Sequence, residues 1–77
     1  MKDKVFKIVS LVLGLPVEDV SEKLSANDVE DWDSLRHMRL ILSLEEEFGI
    51  SFTEEETIFM NTMNGIIRTL ESRVRKD

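Results

Sequence analysis

Helical spacing of the apolar residues constrains the fold of this chain more than any other feature of its sequence. The first apolar run recurs at intervals of three and four residues, which is the pattern of one face of an α-helix. Its members are Val5, Ile8, Val9, Val12 and Leu13. Gly14 supplies a stop and Pro16 prevents easy continuation, so this run predicts a first helix over about residues 3–13.

A second apolar run predicts a longer helix in the middle of the chain. The helix begins at Asp33 or Ser34, because both are good N-cap residues, and Gly49 is its predicted stop. Its apolar positions are Leu35, Met38, Leu40, Ile41, Leu42, Leu44 and Phe48. No segment of the chain shows the alternation of apolar and polar residues that is typical of a strand.

Two more helices are predicted in the last third of the chain. Thr53 and Glu56 have the spacing of a capping box, which predicts a short helix over about residues 54–59. Thr62 is predicted to cap the last helix, whose apolar face consists of Met63, Ile66, Ile67, Leu70 and Val74. Cations suit the C-terminal half of that helix, where Arg68, Arg73, Arg75 and Lys76 lie. The sequence therefore predicts an all-α bundle of three main helices plus a short third helix.

Size and composition narrow the class of protein. Seventy-seven residues allow one domain, 1–77, and the absence of cysteine excludes disulfides, thiolate zinc sites and cysteine nucleophiles. A single histidine argues further against a self-contained metalloenzyme, and a net charge of −6 argues against a nucleic-acid partner. No apolar stretch approaches the ~20 residues of a membrane span, and no signal-peptide cleavage site is present, so a cytoplasmic location is expected.

The connection between the first two helices is long and acidic. Residues 15–33 carry a net charge of −6, and the spacing of Val17, Val20 and Leu24 predicts a helical turn that tethers this loop. Loops of this length are usually functional. Its acidic residues do not match a calcium loop counted from Asp28, because Asp33 stands in the sixth place, where glycine is required. We therefore expect a solvated acidic loop and no metal site.

A particular combination of motifs lies in and around the second helix. Asp33-Ser34-Leu35 opens the helix, and Leu44-Glu45-Glu46-Glu47-Phe48 closes it. Together with the segments 13–15, 29–31 and 52–56, these motifs resemble the acyl carrier protein family over nearly the whole chain. In that family the serine of Asp-Ser-Leu carries a 4′-phosphopantetheine arm, so the resemblance implies Ser34 as the attachment residue. It also implies the acyl-carrier four-helix bundle with its long loop between helices 1 and 2.

The physical chemistry of the chain is consistent with this resemblance. A phosphodiester on Ser34 would lie at a helix N-terminus, where a negative charge gains about 0.3–1 kcal/mol. Thioester chemistry needs a thiol, which the arm would supply to a chain without cysteine. The resemblance implies a non-catalytic monomer that tethers acyl or aminoacyl groups as thioesters. Its expected partners are a phosphopantetheinyl transferase, an acyl- or aminoacyl-loading enzyme, and downstream acyl-transfer or synthase enzymes.

Two positions depart from the pattern of many fatty-acid carriers. Arg36 and Arg39 stand where those carriers have acidic residues, and charge complementarity sets the choice of partner. The Trp32 before the motif and the His37 after it are more similar to stand-alone carriers of specialised pathways. We therefore expect a role in polyketide, aminoacyl or surface-sugar chemistry rather than in general fatty-acid synthesis.

The resemblance assigns the remaining site residues to three groups. Residues expected around the arm, besides Ser34, are Asp33, Leu35, Arg36 and His37. Residues expected to dock partners are Leu35, Arg36, Met38, Arg39, Leu42, Glu45, Glu46, Glu47 and Ile58. Residues that are most simply core, and part of which would open as an acyl pocket, are Leu40, Leu44, Phe52, Met60, Met63 and Ile67.

Several alternatives stay open at the level of the sequence. A helical adaptor that never receives the arm would share the fold and the acidic surface. A Ser34–His37 dyad has hydrolytic side chains three residues apart, but no G-x-S-x-G elbow accompanies it, so we do not predict an enzyme. Trp32 is either a lid over the core or an exposed partner contact, and Phe59 either joins a docking patch or folds inward.

Overall fold

Four α-helices make up most of residues 2–74, the part of the chain that the computed structural model describes. They are α1 (Lys2–Leu13), α2 (Ser34–Phe48), α3 (Glu54–Phe59) and α4 (Met63–Arg73). The structure therefore confirms the predicted all-α class, with three main helices and a short third one. The predicted roles of Arg75 and Lys76 at the end of the last helix lie outside the described residues.

Local capping interactions set the helix boundaries. Asp33 is the N-cap of α2, and its side chain accepts the N–H of Arg36 at 2.9 Å, so Ser34 is the first helical residue. Gly49 ends α2 in the left-handed region at φ 66°, and its N–H donates to the carbonyl of Glu45. The predicted capping box is also present, with Thr53 and Glu56 exchanging side-chain and backbone hydrogen bonds.

The hydrophobic core lies between the helices and includes part of the long loop. Helices α1, α2 and α4 supply most of it, and Val20, Val29 and Trp32 of the loop join them. The buried apolar residues are Val5, Val9, Leu13, Val20, Val29, Trp32, Leu40, Ile41, Leu44, Met60, Met63, Ile66, Ile67 and Leu70. Trp32 is 5 % exposed, which settles the choice between lid and surface contact in favour of burial.

The long loop is held in place by two single-turn 3₁₀ helices and by backbone hydrogen bonds. The first turn, Val17–Asp19, falls where the sequence predicts one, and the second, Ala26–Asp28, has no apolar spacing that would predict it. Backbone bonds join the loop to the α3–α4 connection, from the N–H of Ala26 to Asn61 and from the N–H of Met63 to Leu24. The loop is therefore packed against the helices as part of the domain and is not a free connection.

Within residues 2–74, no helix is long and apolar enough to span a membrane.

Candidate functional site

Ser34 occupies an exposed position at the N-terminus of α2. Asp33 caps this helix from an extended backbone conformation, and Ser34, the next residue, is exposed. The side chain and carbonyl of Asp33 accept the N–H groups of Arg36 and His37, whereas those of Ser34 and Leu35 have no acceptor among residues 2–74. A reachable hydroxyl therefore lies beside two free backbone donors, which is suitable for a group that carries negative charge.

Trp32 and His37 form a part-buried hydrogen-bonded link beside Ser34. The indole Nε1 of Trp32 lies 3.0 Å from Nδ1 of His37, and Nε2 of His37 lies 2.8 Å from the carbonyl oxygen of Thr57. Both ring nitrogens thus have partners within the protein. In this structure no ring nitrogen is left to act as a base for Ser34, and a contact between His37 and the phosphate of the arm stays a prediction.

Arg36 connects α2 to α1 instead of extending into solvent. One of its guanidinium nitrogens donates to the carbonyl oxygen of Val12 at 2.8 Å, in the last turn of α1. The carbonyls at a helix C-terminus lack partners within the helix and attract cations. The charge of Arg36 therefore stabilises the packing of two helices, while Arg39, one turn further on, is exposed.

A cleft of about 350 Å³ opens next to Ser34, between α2 and α3. It is lined by Ser34, His37, Met38, Ile41 and Thr57. Four of these residues follow the helical spacing i, i+3, i+4 and i+7 from Ser34, a signal that would have identified Ile41 from the sequence. Thr57 belongs to a different helix, so nothing in the spacing around Ser34 indicates it.

The residues expected to form an acyl pocket do not line this cleft. Leu40, Leu44, Met60 and Met63 are fully buried, Ile67 is nearly so, and Phe52 is half-buried against the same core. These residues form a closed core in this structure, and their opening as an acyl pocket stays a prediction. They were assigned by their apolar character, which a closed core and an open pocket share.

The expected docking face is only partly available at the surface. Its apolar residues are strongly exposed, with Leu35, Met38, Leu42 and Ile58 at 58–69 %. Phe59 is 54 % exposed and does not fold inward. Glu45 is half-buried, and its carboxylate accepts the N–H of Phe52 at 2.8 Å, which joins the end of α2 to the α2–α3 connection.

The two neighbouring glutamates are closer to the expectation. Glu46 and Glu47 are exposed, and Glu47 forms a surface ion pair with Lys4 of α1 at 3.2 Å. Surface ion pairs of this kind contribute little to stability, about 0–1 kcal/mol, so Glu47 can exchange Lys4 for a partner's cation at low cost. Within residues 2–74, no group of three or more histidine and carboxylate side chains could hold a metal ion.

A compact helical bundle with a reachable serine at a helix N-terminus and a cleft beside it defines a carrier-type module. Comparison with known proteins gives the family. The family model described as "Phosphopantetheine attachment site" matches residues 3–70. The chain is also 32 % identical, over 76 residues, to the acyl carrier protein of Buchnera aphidicola subsp. Schizaphis graminum (strain Sg). This alignment covers 99 % of this chain and 96 % of that relative. The chain belongs to the acyl carrier protein family.

Membership of this family confirms several expectations from the sequence. The chain is a carrier and not a catalyst, and its cofactor is a covalently bound 4′-phosphopantetheine. Its partners are, in general terms, a phosphopantetheinyl transferase and enzymes that handle acyl groups. When bound, the arm supplies the thiol on which acyl groups are held.

Proposed function

We propose that Ser34 is the residue to which the arm is attached. The observation that carries this proposal is the position of its exposed hydroxyl at the first residue of α2, beside the free N–H groups of Ser34 and Leu35. Asp33 contributes indirectly, because its cap holds the first turn of α2 in shape. These donors and the helix dipole would stabilise a phosphodiester by about 0.3–1 kcal/mol.

The test is an intact-mass measurement. The protein is incubated with coenzyme A and a broad-specificity phosphopantetheinyl transferase, and we expect a single phosphopantetheine adduct. Ser34→Ala should abolish the adduct, whereas Ser51→Ala, which removes another exposed serine hydroxyl, should leave it unchanged. If the wild-type protein receives no adduct under conditions that modify a control carrier, the helical adaptor becomes the better interpretation.

We further propose that this carrier serves a specialised pathway, in polyketide, aminoacyl or surface-sugar chemistry. Support comes from Arg39, which lies in the middle of the exposed face of α2 with Leu35 four residues before it and Leu42 three residues after it. Arg39 takes part in none of the ion pairs found within residues 2–74. An unpaired cation between two exposed leucines is complementary to a partner surface on which a carboxylate is surrounded by apolar side chains.

Charge reversal tests this second proposal. A purified fatty-acid elongation enzyme is given the loaded carrier, and its rate is compared with that on a housekeeping carrier over a range of salt concentrations. We expect this chain to be the poorer substrate and Arg39→Glu to improve it severalfold at low salt. Arg68→Glu makes the same change of charge on the exposed side of α4 and should have little effect. Equal, salt-sensitive use of the wild-type chain and the housekeeping carrier would refute the specialised role.

We also propose a location, a domain extent and an oligomeric state for this chain. We expect a single carrier domain over residues 1–77 that works as a cytoplasmic monomer. A net charge of −6 supports the monomer, because like charge keeps copies of a small protein apart.

A further inference from the structure

The hydrogen bonds around His37 define one state of its imidazole ring. The indole N–H of Trp32 can only donate, so Nδ1 of His37 must accept and therefore carries no proton. In a neutral imidazole the proton then resides on Nε2, which donates to the carbonyl oxygen of Thr57 at 2.8 Å. The structure thus fixes the neutral Nε2–H form of His37, with a direction of donation that runs from Trp32 through His37 to Thr57.

This chain of hydrogen bonds joins three separate parts of the fold. Trp32 belongs to the long loop, His37 to the first turns of α2, and Thr57 to α3. The Thr57 carbonyl lies in the last turn of α3, where carbonyls have no partner within the helix, so His37 supplies the missing donor. We call the set Trp32, His37 and Thr57 the latch, because it holds α3 against α2 at the level of Ser34.

The latch forms part of the wall of the cleft beside Ser34. His37 and Thr57 both line this cleft, and fully buried core residues such as Leu40 and Met60 do not. A group that enters the cleft from Ser34 therefore contacts the core only at Ile41, beside the His37–Thr57 hydrogen bond. A movement of α3 away from α2 would break that bond.

We propose that His37 is a specificity-determining residue, which limits how far a carried group can enter between α2 and α3. With the latch closed, a carried group is confined to the open cleft beside Ser34, and the tail of a longer chain stays at the surface. The inference rests on the proposed attachment of the arm at Ser34. It assigns this carrier to short or polar cargo rather than to long alkyl chains.

The state of the ring can be tested without any cargo. His37 is the only histidine and Trp32 the only tryptophan, so the signals of their ring nitrogens in ¹H–¹⁵N NMR spectra do not overlap with those of a second residue of either type. At neutral to mildly alkaline pH we expect a proton on Nε2, none on Nδ1, and a Trp32 indole proton that exchanges slowly. A proton on Nδ1 in the neutral ring would overturn the latch.

Two substitutions separate the two halves of the latch. His37→Gln keeps an N–H donor near the position of Nε2 and can still reach Thr57, whereas His37→Asn keeps only an acceptor near the position of Nδ1 for Trp32. Both variants lose the imidazole ring, so a difference between them does not come from loss of the ring's packing contacts. Near-identical circular dichroism spectra and unfolding temperatures would establish that both variants are folded before they are compared. If either variant is unfolded, the NMR measurement on the wild-type protein still tests the latch.

Protection of the carried group is the functional measurement. Wild type and both variants are loaded by the transferase from acetyl- or octanoyl-coenzyme A, and cleavage of the thioester by hydroxylamine is followed by mass. We expect the octanoyl group to be cleaved about fivefold more slowly on His37→Asn than on His37→Gln, the ratio that corresponds to one net hydrogen bond. The acetyl group should be cleaved at the same rate on both.

The outcomes distinguish this inference from the proposal on which it rests. Equal octanoyl rates in the two variants, or an acetyl rate that changes by the same factor, would overturn the role of His37 while leaving Ser34 as the attachment residue. Failure to load Ser34 at all would overturn both proposals. Wild type should behave like His37→Gln, and a wild-type rate that matches His37→Asn also contradicts the latch.

Discussion

Replacing Gly65 by alanine should destabilise the protein, although alanine is the better helix former. Gly65 is buried in the first turn of α4, where its N–H donates to the side chain of Thr62. A Cβ atom added there would lie closer than 3.0 Å to the carbonyl oxygen of Phe59, and also 3.1 Å from Oγ1 of Thr62. Helix propensity favours alanine by about 1 kcal/mol, and overpacking costs about 1–3 kcal/mol.

The identity of the crowded atom decides whether Gly65→Ala raises or lowers the stability of the protein. The Phe59 carbonyl is backbone at the end of α3 and cannot rotate away, so the cost should lie at the upper end of its range. The net loss is then about 2 kcal/mol, a fall of about 8–16 °C in unfolding temperature for a domain of this size. The measurement is thermal unfolding together with urea titration, in which the midpoint should fall while the m-value stays constant.

A neighbouring position supplies the control. Asn64→Ala alters the adjacent, exposed residue of the same helical turn and should change stability by less than about 0.5 kcal/mol. If Gly65→Ala is neutral or more stable than wild type, helix propensity has prevailed. In that case the carbonyl of Phe59 does not lie as close to Gly65 as it does in the structure.

Substitutions at three further positions test the interactions that hold the helices and their caps in place. Asp33→Ala removes the N-cap of α2 and should cost about 1 kcal/mol in urea unfolding, whereas Asp33→Asn retains an acceptor and should cost much less. Arg36→Met keeps the apolar stem but loses the hydrogen bond to α1, so we expect the free energy of unfolding to fall by about 1 kcal/mol. An unchanged urea midpoint would show that Arg36 does not stabilise the packing of α1 against α2. The backbone N–H of Thr53 and, secondarily, the guanidinium of Arg73 hold the pKa of the Glu56 carboxyl below its ordinary 4.5. Because the folded-state pKa is the lower one, this stabilisation is present above about pH 4.5 and is lost as the pH falls through the folded-state value. Glu56→Gln should therefore flatten the acid limb of a plot of stability against pH, and an identical limb in both proteins would refute this role.

Most of the secondary structure follows from short-range signals. The spacing from Val5 to Leu13, the stop at Gly14 and the capping box from Thr53 to Glu56 predict helix ends that the structure reproduces within about one residue. Capping and helical periodicity depend on residues only three or four positions apart, so the sequence displays them directly. The same is true of Asp33-Ser34-Leu35, because a cap and the first helical residue are adjacent in the chain.

The surroundings of the serine depend on residues far apart in the chain. His37 and Thr57 are 20 positions apart, and Arg36 and Val12 are 24 apart, so no local pattern predicts either hydrogen bond. The cleft beside Ser34 is not predicted by local patterns either, for a related reason. Side-chain polarity distinguishes buried from exposed positions, but it does not reveal where neighbouring helices leave a gap.

The sequence alone determined the class of fold, the boundaries of its helices and the serine that stands at the start of α2. These properties depend on backbone conformations and hydrogen bonds that close within one turn of a helix. The tertiary structure alone decided that Trp32 is buried, that His37 links the loop to α3, and that Arg36 binds α1 while Arg39 stays in solvent. Those outcomes depend on how the long loop and four helices pack, because only packing brings a donor and an acceptor from distant parts of the chain within about 3 Å.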